Sequence, residues 1–92
     1  MFIRKIKLKV IDQQNCIQLL KPGIHHIENK GYYYFSLFAL NESSLSIKQA
    51  EYTLDHYLLK REDPLCVSNE VKGEYAIIEN SGNILLIQSR DA

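Results

Sequence analysis

The stretch Gly31 to Leu40, GYYYFSLFAL, constrains the fold more than any other part of this chain. Read as a strand from Tyr32 to Leu40, it divides its side chains between two faces, because successive strand residues point to opposite sides. Tyr33, Phe35, Leu37 and Ala39 share one face. Tyr32, Tyr34, Ser36, Phe38 and Leu40 share the other, which is nearly as apolar. A strand that is apolar on both faces is buried on both. The sheet that contains it therefore needs two covers.

The C-terminal part repeats this property. Ile84 and Leu86 oppose Leu85 and Ile87, and Tyr75 and Ile77 oppose Ala76 and Ile78. Residues 74–79 and 84–89 are expected to be strands, and Asn80-Ser81-Gly82-Asn83 between them has the composition of a hairpin loop. Toward the N-terminus, Phe2, Ile6, Leu8 and Val10 alternate with Lys5, Lys7 and Lys9, the pattern of a half-buried strand. Arg4 is the one charge on its apolar side. Cys16 to Lys21 and Ile24 to Glu28 are further short apolar runs, separated by Pro22-Gly23. Asn29-Lys30-Gly31 predicts a hairpin turn into the tyrosine strand, with Gly31 supplying a positive φ. Leu65 to Ser68 predicts a weak short strand.

One segment has the pattern of a helix. Ile47, Ala50, Leu54, Tyr57 and Leu58 form an apolar stripe at helical spacing. Ser46, followed three residues later by Gln49, matches a capping box, and Pro64 bars continuation. The expected fold class is α+β, in a single globular domain over residues 1–92. Its sheet is twisted, mostly antiparallel and about five or six strands wide, with one helix over about residues 46–62 packed on one face.

One helix covers one face of such a sheet. The second face must be covered by curling of the sheet, by the loop from Pro64 to Gly73, or by another chain. Tyrosine suits the last, since it combines a large apolar area with a hydroxyl that tolerates water. Tyr33 and Phe35 are thus expected in the core, and Tyr32, Tyr34 and Phe38 at a contact with another protein. Tyr52 and Leu59, seven residues apart on the expected helix and away from its main stripe, would add a small patch to that contact. The partner expected is a second copy of the chain or a different protein.

Charge narrows the alternatives. Lys and Arg number 11, Asp and Glu 11, and the sequence pI is about 6.8. A dedicated phosphate-backbone binder normally carries a basic excess. The alternative expectation is a nucleic-acid-binding domain that uses the face bearing Arg4, Lys5, Lys7 and Lys9, joined to Tyr32 and Tyr34 as stacking groups. The competing explanation is an edge strand protected by lysines.

No motif for catalysis is present. There is no Gly-rich phosphate loop, no nucleophile elbow and no paired-carboxylate pattern. Cys16, Cys66, His25, His26 and His56 lack metal-ligand spacing, and neighbouring His25 and His26 would face opposite ways on a strand. No cofactor motif appears. Met1 to Val10 lacks the unbroken apolar stretch of a signal peptide, and no run reaches the length of a membrane span. The expectation is a cytoplasmic, non-catalytic module with no metal, cofactor or membrane partner, self-associating through its tyrosine-rich face.

Overall fold

The computed structural model describes residues 9–11, 15–28, 31–63, 66 and 68–90. Within β4 (Tyr34–Ala39) the expected alternation holds: Phe35, Leu37 and Ala39 are buried, while Tyr34, Ser36 and Phe38 are half-buried. β8 (Ile84–Ser89) pairs with it antiparallel, setting Ala39 opposite Ile84 and Leu37 opposite Leu86 on the inner side. β2 (Asn15–Leu20) pairs with the other side of β8, and β1 (Lys9–Ile11) with β2. The first sheet therefore runs β1-β2-β8-β4.

A second four-stranded sheet covers its inner face. It is built from β3 (Gly23–Glu28), β7 (Tyr75–Asn80), β5 (Ser43–Lys48) and β6 (Leu54–Leu59), in that spatial order. Ile27, Ala76, Ile78, Leu45, Ile47 and Leu59 face inward and join Phe35, Leu37, Ile84 and Leu86 in one buried cluster. Among the described residues all strand pairings are antiparallel. Two sheets packed face to face bury one apolar side each, and this closes the core.

The α+β expectation fails here: among the described residues every regular element is a strand. The segment expected as a helix over about residues 46–62 supplies the end of β5 and all of β6. Leu45 and Ile47 alternate with Ser44 and Lys48 as well as they fit a helical stripe, and burial against the first sheet decides for the strand. Ser46 is no N-cap, because its Oγ accepts the His56 backbone N–H at 2.9 Å across the pair. A bulge lies between Leu45 and Ile47, and His56 opposite it has φ 55°. Leu59 is 0% exposed, so it cannot belong to a contact patch. Tyr33, expected in the core, precedes β4 and is 69% exposed.

The expected hairpins are corrected in the same way. β7 and β8 are consecutive yet lie in different sheets, so residues 81–83 form a crossover between layers. The corner is tied by Ser43 Oγ, which accepts N–H groups from Ser81 and Gly82 at 3.2 and 2.9 Å. Asn80 Nδ2 reaches the carbonyls of Leu20, at the end of β2, and Lys21, just after it, each at 3.2 Å. A Cβ at Gly82 would stand 2.5 Å from the Glu42 carbonyl oxygen, so this close approach requires glycine. β3 and β4 likewise belong to different sheets, so no hairpin joins them, though Gly31 does have φ 88°.

Several expectations fall on other ground. Arg4, Lys5 and Lys7, with Pro64 and Leu65, lie outside the described residues. Lys9 opens β1, opposite Gln18. Two strands, β2 and β8, separate β1 from the tyrosine strand β4. At about 4.8 Å per strand, the strand of Lys9 is roughly 14 Å from β4, which takes apart the joint basic and aromatic surface.

Candidate functional site

Two stretches without regular structure meet along one side of the sandwich: residues 49–53, between β5 and β6, and residues 68–73, ahead of β7. Asn69 forms an antiparallel bridge with Phe35 of β4, and Val71 forms one with Ala50. The second stretch thereby fastens the first sheet to the second. Phe35 and Asn69 exchange both backbone hydrogen bonds at 2.8 Å, and Glu51 N–H donates to the Glu70 carbonyl at 2.8 Å. Lys72 N–H donates to the Gln49 carbonyl at the same distance.

Backbone strain collects here. Gln49 has φ 60° and Ser68 φ 55°, left-handed values that cost a residue with a Cβ roughly 1–2 kcal/mol. Such conformations persist only where surrounding structure fixes them, and they gather at binding sites. Gln49 is held by the Lys72 N–H and Ser68 by Ser36 Oγ, and next to Ser68 lies Asn69, 3% exposed. Its Oδ1 accepts N–H groups from Tyr52 and Glu70, each at 2.9 Å, and its Nδ2 donates to the Tyr52 carbonyl at 2.8 Å. Both backbone groups of Tyr52 are thus clamped by one buried amide. The residue they carry is 64% exposed. A flat aromatic ring in solvent on an immobilised backbone is a stacking surface.

One ion pair joins the two stretches. Lys72 Nζ lies 2.8 Å from Glu51 Oε1. The hydrogen bond and charge of Glu51 raise the Lys72 ammonium above the ordinary lysine value, and the Glu70 carboxylate adds to this.

A strap precedes the site. The Tyr57 hydroxyl donates to Asp63 Oδ2 at 2.5 Å, and Leu37 N–H donates to the Cys66 carbonyl at 2.8 Å. Burial, with help from the Asp63 charge, pushes the Cys66 thiol up to about 11, so it is no thiolate nucleophile near neutral pH. His56 Nδ1 is 2.6 Å from Asp55 Oδ1, and Ser46 Oγ accepts the backbone N–H of His56 at 2.9 Å. Among the described residues no three of His, Cys, Asp and Glu are grouped to hold a metal. An open cleft of about 640 Å³ elsewhere mixes Lys60 and Arg61 with Glu42, Glu62 and Asp63, and presents no single charge to a ligand.

Of the residues expected at a contact, Tyr52 stands in this site. Tyr34 and Phe38 share the outer face of the first sheet, half-buried. Tyr32 lies under the Arg90 guanidinium, 5.2 Å from its ring centroid. Asn69, Glu51 and Lys72 were not foreseen. Asn69 and Tyr52 are 17 residues apart, and no local pattern marks their pairing.

Comparison with known proteins gives this site a setting. Residues 24–85 match the family described as thiamin pyrophosphokinase, vitamin B1 binding domain. The chain is 33% identical to thiamine pyrophosphokinase of Bacillus subtilis over 92 residues, covering 94% of this chain and 42% of that protein. The crystal structure of thiamine pyrophosphokinase from Bacillus subtilis superimposes with a TM-score of 0.86 at 30% identity, over 95% of this chain and 42% of that one. That from Geobacillus thermodenitrificans gives 0.82 at 25% identity, over 91% and 41%. The Candida albicans structure, 22% identical, shares the fold at a TM-score of 0.79, over 95% and 34%. The chain spans less than half the length of these relatives. The expectations of a non-catalytic interaction module and of a nucleic-acid binder do not stand against these matches, since the relatives are named as enzymes.

Proposed function

Since the chain belongs to the thiamin pyrophosphokinase vitamin B1 binding domain family, we propose that it binds thiamin at the Tyr52 site and holds the vitamin for pyrophosphoryl transfer. The observation that carries this is the clamp of Asn69 on both backbone groups of Tyr52, which leaves the ring in solvent. Thiamin joins two flat rings, an aminopyrimidine and a permanently cationic thiazolium, and both suit the face of a tyrosine. Phosphoryl-group transfer depends chiefly on positioning and on stabilising charge. The contribution of this chain is positioning: a fixed platform orients the acceptor alcohol. Among the described residues no helix is long and apolar enough to cross a membrane. A cytoplasmic location is part of the same proposal.

The test is a calorimetric titration of the chain with thiamin. Tyr52→Phe should bind as wild type does, because the ring is kept. Tyr52→Ala should bind about 5- to 10-fold more weakly, the value of one aromatic contact. Equal affinity for Tyr52→Ala and wild type would remove the assignment.

A partner for the outer face of the first sheet is a second proposal. Ile17, Leu19, Tyr34, Phe38, Leu85 and Ile87 share it, all half-buried and all apolar or aromatic. Such a face suits a second copy of the chain.

A further inference from the structure

We infer that His56 and Glu79, with Ser46 between them, form a site for a divalent transition-metal cation of the zinc type on the outer face of the second sheet. The inference does not depend on the ligand proposed for Tyr52.

Register brings these side chains to one place. Ser46 of β5 stands directly opposite Glu79 of β7, and Glu79 stands opposite Ile24 of β3. On its other side Ser46 meets His56 of β6, whose backbone N–H donates to Ser46 Oγ at 2.9 Å. Leu45, Ile47 and Ile78 point into the core, so Ser46 and Glu79 beside them face outward. His56 and Glu79 therefore flank one short serine from the two adjacent strands. Opposed residues of paired strands have Cβ atoms about 5 Å apart, a spacing at which two longer side chains lean over a small one between them. The space there is a cavity of about 100 Å³ lined by Ser44, Ser46, His56, Glu79, Asn80 and Ser81. A water takes up about 30 Å³ of the liquid, so an ion and one or two waters fit.

The donor groups are prepared for a cation. His56 Nδ1 is 2.6 Å from Asp55 Oδ1. A carboxylate only accepts, so Nδ1 carries the proton and the neutral ring keeps its lone pair on Nε2. A carboxylate behind the other ring nitrogen is the usual support of a metal-binding histidine. The backbone of His56 is left-handed, with φ 55°, opposite the bulge between Leu45 and Ile47. Such a conformation persists where its surroundings fix it, and here Ser46 Oγ holds the N–H. That oxygen retains a second lone pair. Among the described residues Glu79 has no ion-pair partner.

The donor set selects the ion. An imidazole nitrogen with a carboxylate suits zinc and its neighbours, whereas magnesium and calcium favour oxygen alone. Among the described residues no third His, Cys, Asp or Glu joins the pair, so water completes the coordination. The bound ion would tie β6 to β7 across β5, and would stabilise the folded chain by mass action.

The experiment titrates the full chain and its variants with Zn²⁺ by calorimetry, with circular dichroism to confirm that each variant is folded. Wild type should bind one equivalent. His56→Asn should lose it, and asparagine tolerates the left-handed backbone, so the turn is kept. Asp55→Asn should weaken binding by about 10-fold or more, and Glu79→Gln by at least as much. The double variant His25→Gln, His26→Gln should bind as wild type does, because neither residue lines the cavity. Zn²⁺ should raise the urea midpoint of wild type and leave that of His56→Asn unmoved. An excess of Mg²⁺ should not displace the ion. No Zn²⁺ binding by wild type, or equal affinity in His56→Asn, would overturn the inference. So would loss of binding in the His25, His26 variant, which would make those histidines the ligands instead.

Discussion

Asn69 shows how much one buried amide can organise. It sits between β4 and the start of β6, accepts two backbone N–H groups and donates to a carbonyl. Truncation leaves three backbone groups without that partner in a place where water enters poorly, and an unsatisfied buried group costs on the order of 1–3 kcal/mol. Asn69→Ala should therefore lose about 2–3 kcal/mol in urea melts. It should also weaken thiamin more than its fraction unfolded explains, since Tyr52 loses its fixed backbone. An Asn69→Ala protein as stable as wild type would mean that the clamp is incidental.

The chain after β6, described at residues 60–63, 66 and 68–69, links core to site. It leaves β6, is latched by Tyr57 to Asp63, and reaches β4 through the Cys66 carbonyl. Two ionisable groups here are raised in the fold: the Cys66 thiol chiefly by burial, and the Tyr57 hydroxyl chiefly by its hydrogen bond to Asp63. Each is neutral when protonated, so the folded chain holds these protons more tightly than the unfolded one. The contribution of Cys66 to stability is thus fully present below the ordinary cysteine value near 9 and is lost as pH rises toward the folded value of about 11, where the unfolded thiol is already ionised. Tyr57 acts in the same direction above its ordinary value of 10. Urea midpoints should drop between pH 8 and pH 10.5, and the double variant Cys66→Ala, Tyr57→Phe should show a flatter profile. A wild-type midpoint that does not move over that range would show that the strap does not hold these protons.

At the scale of the whole molecule, the two faces of β4 do different work. Phe35 is buried where the two sheets meet, and Tyr34 lies on the outer face beside Phe38. Phe35→Ala should cost about 3–5 kcal/mol through the cavity it opens, enough to unfold a small domain. Tyr34→Glu should leave circular dichroism unchanged and should turn an assembled wild type into a monomer by light scattering, because the carboxylate would have to be desolvated in the contact. A wild type that is already monomeric at high concentration would withdraw the proposed partner and leave the fold untouched.

The period-two pattern was legible from residue order alone. Phe35, Leu37 and Ala39 face inward as the alternation requires, Ile84 and Leu86 meet them, and Gly31 has the positive φ expected of it. These are local properties: the direction of a side chain on a strand depends only on its neighbours. The tertiary structure decided what was not local. Residues 43–59 suit a helical stripe and a strand pair about equally, and burial of Leu45, Ile47 and Leu59 against the first sheet chose the strands. The same packing placed β7 and β8 in different layers, where composition suggested a hairpin. The candidate site was invisible for a related reason. Tyr52 has no meaning as a platform until Asn69 reaches it, and Asn69 is brought there by its bridge to Phe35, a contact that exists only once both sheets have formed.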